Sequence, residues 1–192
     1  MAVGVEQQGI PAAADLEALF VAGHGGTGAD VRDEFAAAVV DLHASNLFQW
    51  RCESEIRSAT LEAAEVAALK RAIDGSNARR ARLVERLDEL CLARLRPAGT
   101  SACDAYINSE TIGQLVDRLS ILTLKLFFVR ARAARADAGD AAAARYAEHV
   151  AQLEAQRAYV ATCYDRFLEH LRTGSASMPT FRQFKFYVDG DL

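Results

Sequence analysis

The sequence contains no apolar run long enough to cross a bilayer as a helix. Its most apolar stretch, Ile112 to Val129, carries Gln114, Asp117, Arg118 and Lys125, groups that hydrocarbon tolerates poorly. The opening residues MAVGVEQQG lack a basic segment followed by an apolar one. No secretory signal is visible, and the expected compartment is the cytoplasm. A basic excess is missing as well. The formal charge is −4, which argues against nucleic acid as a partner, because a phosphate backbone is bound by surplus Lys and Arg. The arginines clustered at Arg79, Arg80, Arg82 and Arg86, and at Arg130, Arg132 and Arg135, are interspersed with Ala and Glu. They read as solvated helix faces.

Several chemistries lack their spacing. Cys52, Cys91, Cys103 and Cys163 form no CxxC pair, so a zinc site has no ligand pattern and the thiols are expected to be free. No E-x-x-H is present, and His24, His43, His149 and His170 are scattered, which removes the di-iron bundle pattern. The glycine-rich GHGGTG at 23–28 follows no strand and lacks a GK[ST] ending; it is not a phosphate loop. Cys52 beside Glu53 is the one suggestive thiol, but adjacent helix positions face different directions. No metal and no cofactor are expected.

Helical periodicity is what the sequence does have, with about half of its residues apolar. Residues 1–29 read as a partly ordered leader with a short helix over Asp15–Ala22. A single bundle domain follows over 30–192. Its long helices are expected from Asp30, as N-cap, to Ser58, from Leu61 to Leu95 with a bend at Gly75, from Glu110 to Ala136, and from Ala141 to Arg172. Pro97 and Gly99 stop the second, and DAGD turns into the fourth. No alternating strand pattern is present. The aromatic tail FRQFKFYVDGDL is expected to pack back on the helices. Such a series makes an all-α antiparallel bundle of about four long helices.

The apolar seams of these helices are interrupted. In the last helix Tyr146, Val150, Leu153, Val160, Tyr164, Phe167 and Leu171 share a stripe with Arg157. In the second, Ser76 and Arg80 break a seam of Val66, Leu69, Ile73, Leu83, Leu87 and Leu90. The first begins with Phe35, Val39 and Leu42, then continues at the same spacing with His43, Asn46, Trp50, Glu53 and Arg57. The third is the most apolar, yet Glu110, Gln114, Asp117, Arg118 and Lys125 span an arc of roughly 100°. Buried charge must pair, reach water or meet a ligand. Two readings follow: a satisfied polar layer, or a pocket inside the bundle.

The interruptions lie in recognisable runs. Asn46–Leu–Phe–Gln–Trp50–Arg–Cys–Glu53 with Arg57, the run from Ala68 to Asp74 with Asn77, Arg80, Glu85 and Asp88, NSETIGQLVDRLSILTLKLFF at 108–128, and RQFKFYVD at 182–189 resemble bacterial domain-of-unknown-function family 4254. The resemblance spans about residues 35–190 in order. It implies a compact helical protein from bacterial gene clusters for glycans and specialised metabolites, some of which make azacyclic or aziridine-bearing products. The Ala- and Arg-rich composition fits a high-GC actinobacterial genome. Ser54 stands where the family has Asp, Ala81–Arg82 where it has Asn-Asp, and Val188 where it has Asn. A single carboxylate in place of an acidic pair weakens any carboxylate-metal proposal.

The functional expectation is a metal-free carboxylate and arginine pocket in an enzyme, or enzyme subunit, of bacterial natural-product metabolism. Glu53 and Asp117 are the candidate catalytic residues, as base or ammonium anchor. Asn46, Arg57, Arg80, Arg118, Lys125 and Arg157 would hold a small anionic or amino-acid-like metabolite, with Trp50 as a wall. Such a set suits elimination or intramolecular ring closure with an anionic leaving group. The competing expectation is a non-catalytic helical subunit that forms a homo- or hetero-oligomer with a related protein.

Overall fold

Asp33 starts the first long helix. Its carboxylate accepts the Ala36 backbone N–H at 2.8 Å and pairs with Arg94 at 2.8 Å, filling one of the orphan donors of a helix start. Burial acts to raise its pKa, but the Ala36 N–H and the Arg94 guanidinium outweigh it and hold the pKa down. Asp33 thus caps this helix; Asp30, the cap expected from the sequence, lies outside the described residues. The computed structural model describes residues 9–24, 32–58, 60–95, 106–135 and 141–180.

Among the described residues five helices form the body: α1 (Ala13–His24), α2 (Glu34–Ser58), α3 (Ala63–Leu95), α4 (Ile112–Ala133) and α5 (Ala141–Arg172). α3 runs unbroken through Gly75, where the sequence suggested a bend; no heavy atom lies within 4 Å of where a Cβ would sit there. Its start is held by Glu65, whose side chain accepts the Glu62 N–H at 2.8 Å. Two two-residue strands, β1 (Tyr106–Ile107) and β2 (Ala176–Ser177), pair in parallel. Two residues are too few to leave an alternating pattern, so the sequence carried no sign of them. The segments around Pro97, DAGD and the aromatic tail lie outside the described residues, as does most of GHGGTG.

The core is assembled where α2, α3, α4 and α5 bring their seams together. Leu42, Leu87, Ile112, Leu115, Leu126, Tyr164 and Leu168 are almost completely buried. α1 belongs to the same core, because Leu16 and Phe20 are buried in it. Its start is tied to α5. Ala13 N–H donates to Asp165 at 2.9 Å, and Tyr164 O–H donates to the Pro11 carbonyl at 2.9 Å. Among the described residues no helix is long and apolar enough to cross a membrane.

The NSET run proves to be a helix start. Thr111 caps α4 in a capping box with Gln114. Two residues on, Gly113 N–H donates to buried Asp88 on α3 at 2.7 Å. A Cβ at Gly113 would stand 2.3 Å from the Val84 carbonyl oxygen, so only glycine lets α4 come this close to α3. Burial pushes the Asp88 pKa up, against the opposing pull of the Gly113 N–H and the Thr111 hydroxyl. This contact sets the height at which α4 presents Asp117 and everything beyond it.

Candidate functional site

Asp117 lies one and a half turns into α4 and faces α2 and α3. Arg80 of α3 donates to both of its oxygens, Nε to Oδ1 at 2.8 Å and Nη2 to Oδ2 at 2.5 Å. Asn46 of α2 adds its Nδ2 to Oδ1 at 2.9 Å. The same amide donates to Ser120 Oγ at 3.0 Å, and Ser120 Oγ meets His43 Nδ1 at 2.9 Å. The Asp117 side chain is 12% exposed and that of Arg80 28%. Three helices thus share one continuous polar layer, from His43 in the core to Arg80 at the surface.

Ser120 Oγ accepts from Asn46, and the donor and acceptor roles between Ser120 Oγ and His43 Nδ1 follow the imidazole tautomer. His43 is 1% exposed, and among the described residues its Nε2 has no hydrogen-bond partner. Burial, and to a smaller degree neighbouring His24, pushes its pKa down to about 4. Burial also lowers His24. Phe20 stacks on His43 at 4.9 Å, His24 lies 4.8 Å from it, and Phe127 stacks on His24 at 4.5 Å. Trp50 stacks on Phe128 at 5.0 Å with the rings nearly parallel.

Three of the sequence-predicted residues, Asn46, Arg80 and Asp117, come together. The chemistry of that centre is restrained. Both Asp117 oxygens are occupied, so removing a substrate proton would require breaking the Arg80 clamp. As it stands, the layer joins three helices and orients the Arg80 guanidinium.

Glu53 does not join Asp117. It faces outward, pairing with Lys70 at 3.2 Å and with Arg57 at 3.8 Å. α2 rotates by 100° per residue, so its polar stripe drifts off the core beyond Trp50. Ser120 was missed at the sequence level, although its i+3 spacing from Asp117 places it on the same face. Burial chiefly, then nearby Glu55, raises the Cys52 thiol pKa, which keeps it protonated and weakly nucleophilic. Cys91 is raised to about 12 by burial. Among the described residues no group of three or more His, Cys, Asp and Glu could hold a metal ion.

Arg118 and Lys125 point the other way from Asp117. They line a groove of about 490 Å³ between α4 and α5, with Ile121, Leu122, Gln156 and Tyr159. Arg118 is partly engaged, donating to Glu110 at 2.7 Å. Seven residues separate the two cations, a rise of about 10 Å along one helix face. Gln156 and Tyr159 carried no signal in the sequence, because α5 shows them as ordinary outward positions. Arg157, next to Gln156, turns away from this groove and pairs with Glu17 of α1.

The family model described as Protein of unknown function (DUF4254) matches residues 36–180 of the 192-residue chain. No curated protein and no solved structure matches it. The matched span runs from the first turn of α2 to just past β2 and takes in the whole Asp117 layer and the α4–α5 groove. The chain belongs to the DUF4254 family.

Proposed function

We propose that this protein binds a small anionic metabolite in the α4–α5 groove, as an enzyme or enzyme subunit of bacterial natural-product metabolism. The single observation that carries the reading is the convergence of Arg118 and Lys125 on one groove, with Gln156 as a neutral donor and Tyr159 as an aromatic rim. Two cations about 10 Å apart along a helix suit an extended or doubly charged anion. Its volume of about 490 Å³ suits a molecule of metabolite size. Among the described residues no carboxylate lines the groove, so this lining offers charge stabilisation and not a base. In an elimination or ring closure these residues would hold the leaving anion, and the proton acceptor would come from the substrate or from another chain. The bacterial and biosynthetic setting rests on the Ala- and Arg-rich composition and on the family resemblance.

An NMR titration of the full chain with inorganic phosphate, sulfate and succinate tests this reading. Saturable shifts at Arg118, Lys125 and Gln156, reduced in Lys125→Met, support it. Shifts spread over all surface cations, or none, overturn it.

A second reading, a non-catalytic partner subunit, is favoured by Tyr159, which stands 72% exposed on the groove rim. A second helix laid in the groove would bury that ring. Sedimentation of the purified chain, alone and with a co-expressed related protein, separates the readings. A complex that protects Tyr159 favours the subunit; a monomer that binds anions favours the metabolite site.

A further inference from the structure

A second cavity lies under α1, between it and the α4–α5 pair, and shares no lining residue with the groove. Its volume is about 270 Å³, room for one small molecule and less than drug-sized ligands need. Phe20, Leu119, Ala158 and Ala161 make an apolar lining. Thr123 faces the same space from a buried position. Among the described residues its hydroxyl has no hydrogen-bond partner, whereas Thr162 on α5 donates back to its own helix at 2.9 Å.

The charges of this cavity are mixed. Glu17 of α1 and Arg157 of α5 line it and pair with one another, and Asp165 lines it on the same face of α5. Arg157 uses only its Nη1 in that pair. One Asp165 oxygen accepts from Ala13 at 2.9 Å; among the described residues the other accepts from nothing. The lining thus holds one guanidinium and two carboxylates beside an apolar surface.

From this arrangement we infer that the cavity under α1 binds a zwitterionic, amino-acid-like molecule. Its carboxylate goes to Arg157, its ammonium to Glu17 with Asp165 behind, and its side chain to the apolar lining, with Thr123 hydrogen-bonding a polar edge. Charge complementarity selects this class. A zwitterion gives Arg157 and the two carboxylates each a counter-charge. A simple anion would occupy Arg157 and leave Glu17 and Asp165 without a new cation, and a simple amine would meet a carboxylate but offer the remaining Arg157 N–H groups no acceptor. The selectivity is opposite to that of the groove, where both charges are positive. This inference stands independently of the groove reading, because no residue is common to both.

Calorimetry of the full chain with alanine, serine, leucine and phenylalanine tests it, alongside isoamylamine and isocaproate, the amine and acid analogues of leucine. At least one amino acid binds, and for leucine each one-charge analogue binds at least about tenfold more weakly. Titration of the unaltered protein shifts the amides of Thr123 and Ala158. Arg157→Met abolishes binding, and Lys125→Met leaves it unchanged. Should Arg157→Met fail to fold, Thr123→Val keeps the ion pair and weakens binding about fivefold, the scale of one hydrogen bond. Absence of binding by all four amino acids overturns the inference. So does equal affinity for leucine and either analogue, or a shift pattern confined to residues away from this cavity.

Discussion

Arg80 on α3 grips both carboxylate oxygens of Asp117 on α4, while Asn46 on α2 donates to one of the same oxygens. A guanidinium matches a carboxylate in this two-pronged way as no ammonium can. The pair is mostly shielded, and its value lies less in net attraction than in what its loss would expose. Asp117→Asn leaves a part-buried guanidinium without its counter-charge, at an expected cost of about 3 kcal/mol. Arg80→Met has a similar cost, and the double variant falls short of their sum. Urea denaturation followed by Trp50 fluorescence measures both. Trp50 is the single tryptophan and stacks on Phe128 across the same α2–α4 face. An unchanged midpoint in Asp117→Asn would show that the layer does not join the helices.

Gly113→Ala should be among the most damaging single-methyl changes in the chain. The added Cβ would meet a backbone oxygen at 2.3 Å, which cannot turn aside as a side chain can. The expected loss is about 2–3 kcal/mol. Thr111→Ala, which removes only the cap, costs about 1 kcal/mol. Thermal unfolding of the two variants ranks them; the reverse order would refute the close α3–α4 contact.

His43 makes stability depend on acid. Its folded pKa of about 4 lies below the ordinary 6.5. Below 6.5 the unfolded chain therefore takes up a proton that the folded chain refuses. Stability falls as pH drops from 6.5 towards 4, by roughly 3 kcal/mol in all, and His24 acts in the same direction. Above 6.5 neither group contributes a slope. His43→Phe keeps the ring stack and removes the titration, so its urea midpoint should change less between about pH 7.5 and about pH 5 than that of the unaltered protein. Equal slopes would place the acid sensitivity elsewhere.

Glu53→Gln is expected to change little. Its partners, Lys70 and Arg57, are solvent-exposed, and such pairs contribute less than about 1 kcal/mol. Anion binding in the groove should be unaffected as well, while Lys125→Met weakens it and flattens its salt dependence. A loss of binding in Glu53→Gln would return Glu53 to the site.

The match between sequence and fold was uneven for physical reasons. α5 runs from Ala141 to Arg172, the span read from its seam, because its apolar stripe continues to its final turn. Boundaries set by caps were harder. Asp33 holds the start of α2, because it gains both Ala36 and Arg94 as partners; Asp30, three residues earlier, lies outside the described residues. The α4 arc of polar residues was ambiguous in principle. Periodicity tells which residues share a face, and not whether a neighbouring helix covers it. Packing divided that arc, with Asp117 turned inward and Arg118 and Lys125 turned outward.

Local patterning by itself determined that this chain forms long amphipathic helices, that Asn46, Arg80 and Arg157 interrupt their apolar seams, and that the chain resembles its family. Those properties depend on residues three and four apart, whose spacing is fixed by the helix repeat. Only the tertiary structure decided that Asn46, Arg80 and Asp117 converge, that Glu53 does not, and that Arg157 faces Glu17. These are relations between helices far apart in sequence, set by the packing of whole surfaces and by one close approach at Gly113. The polar interruptions were legible; their partners were not.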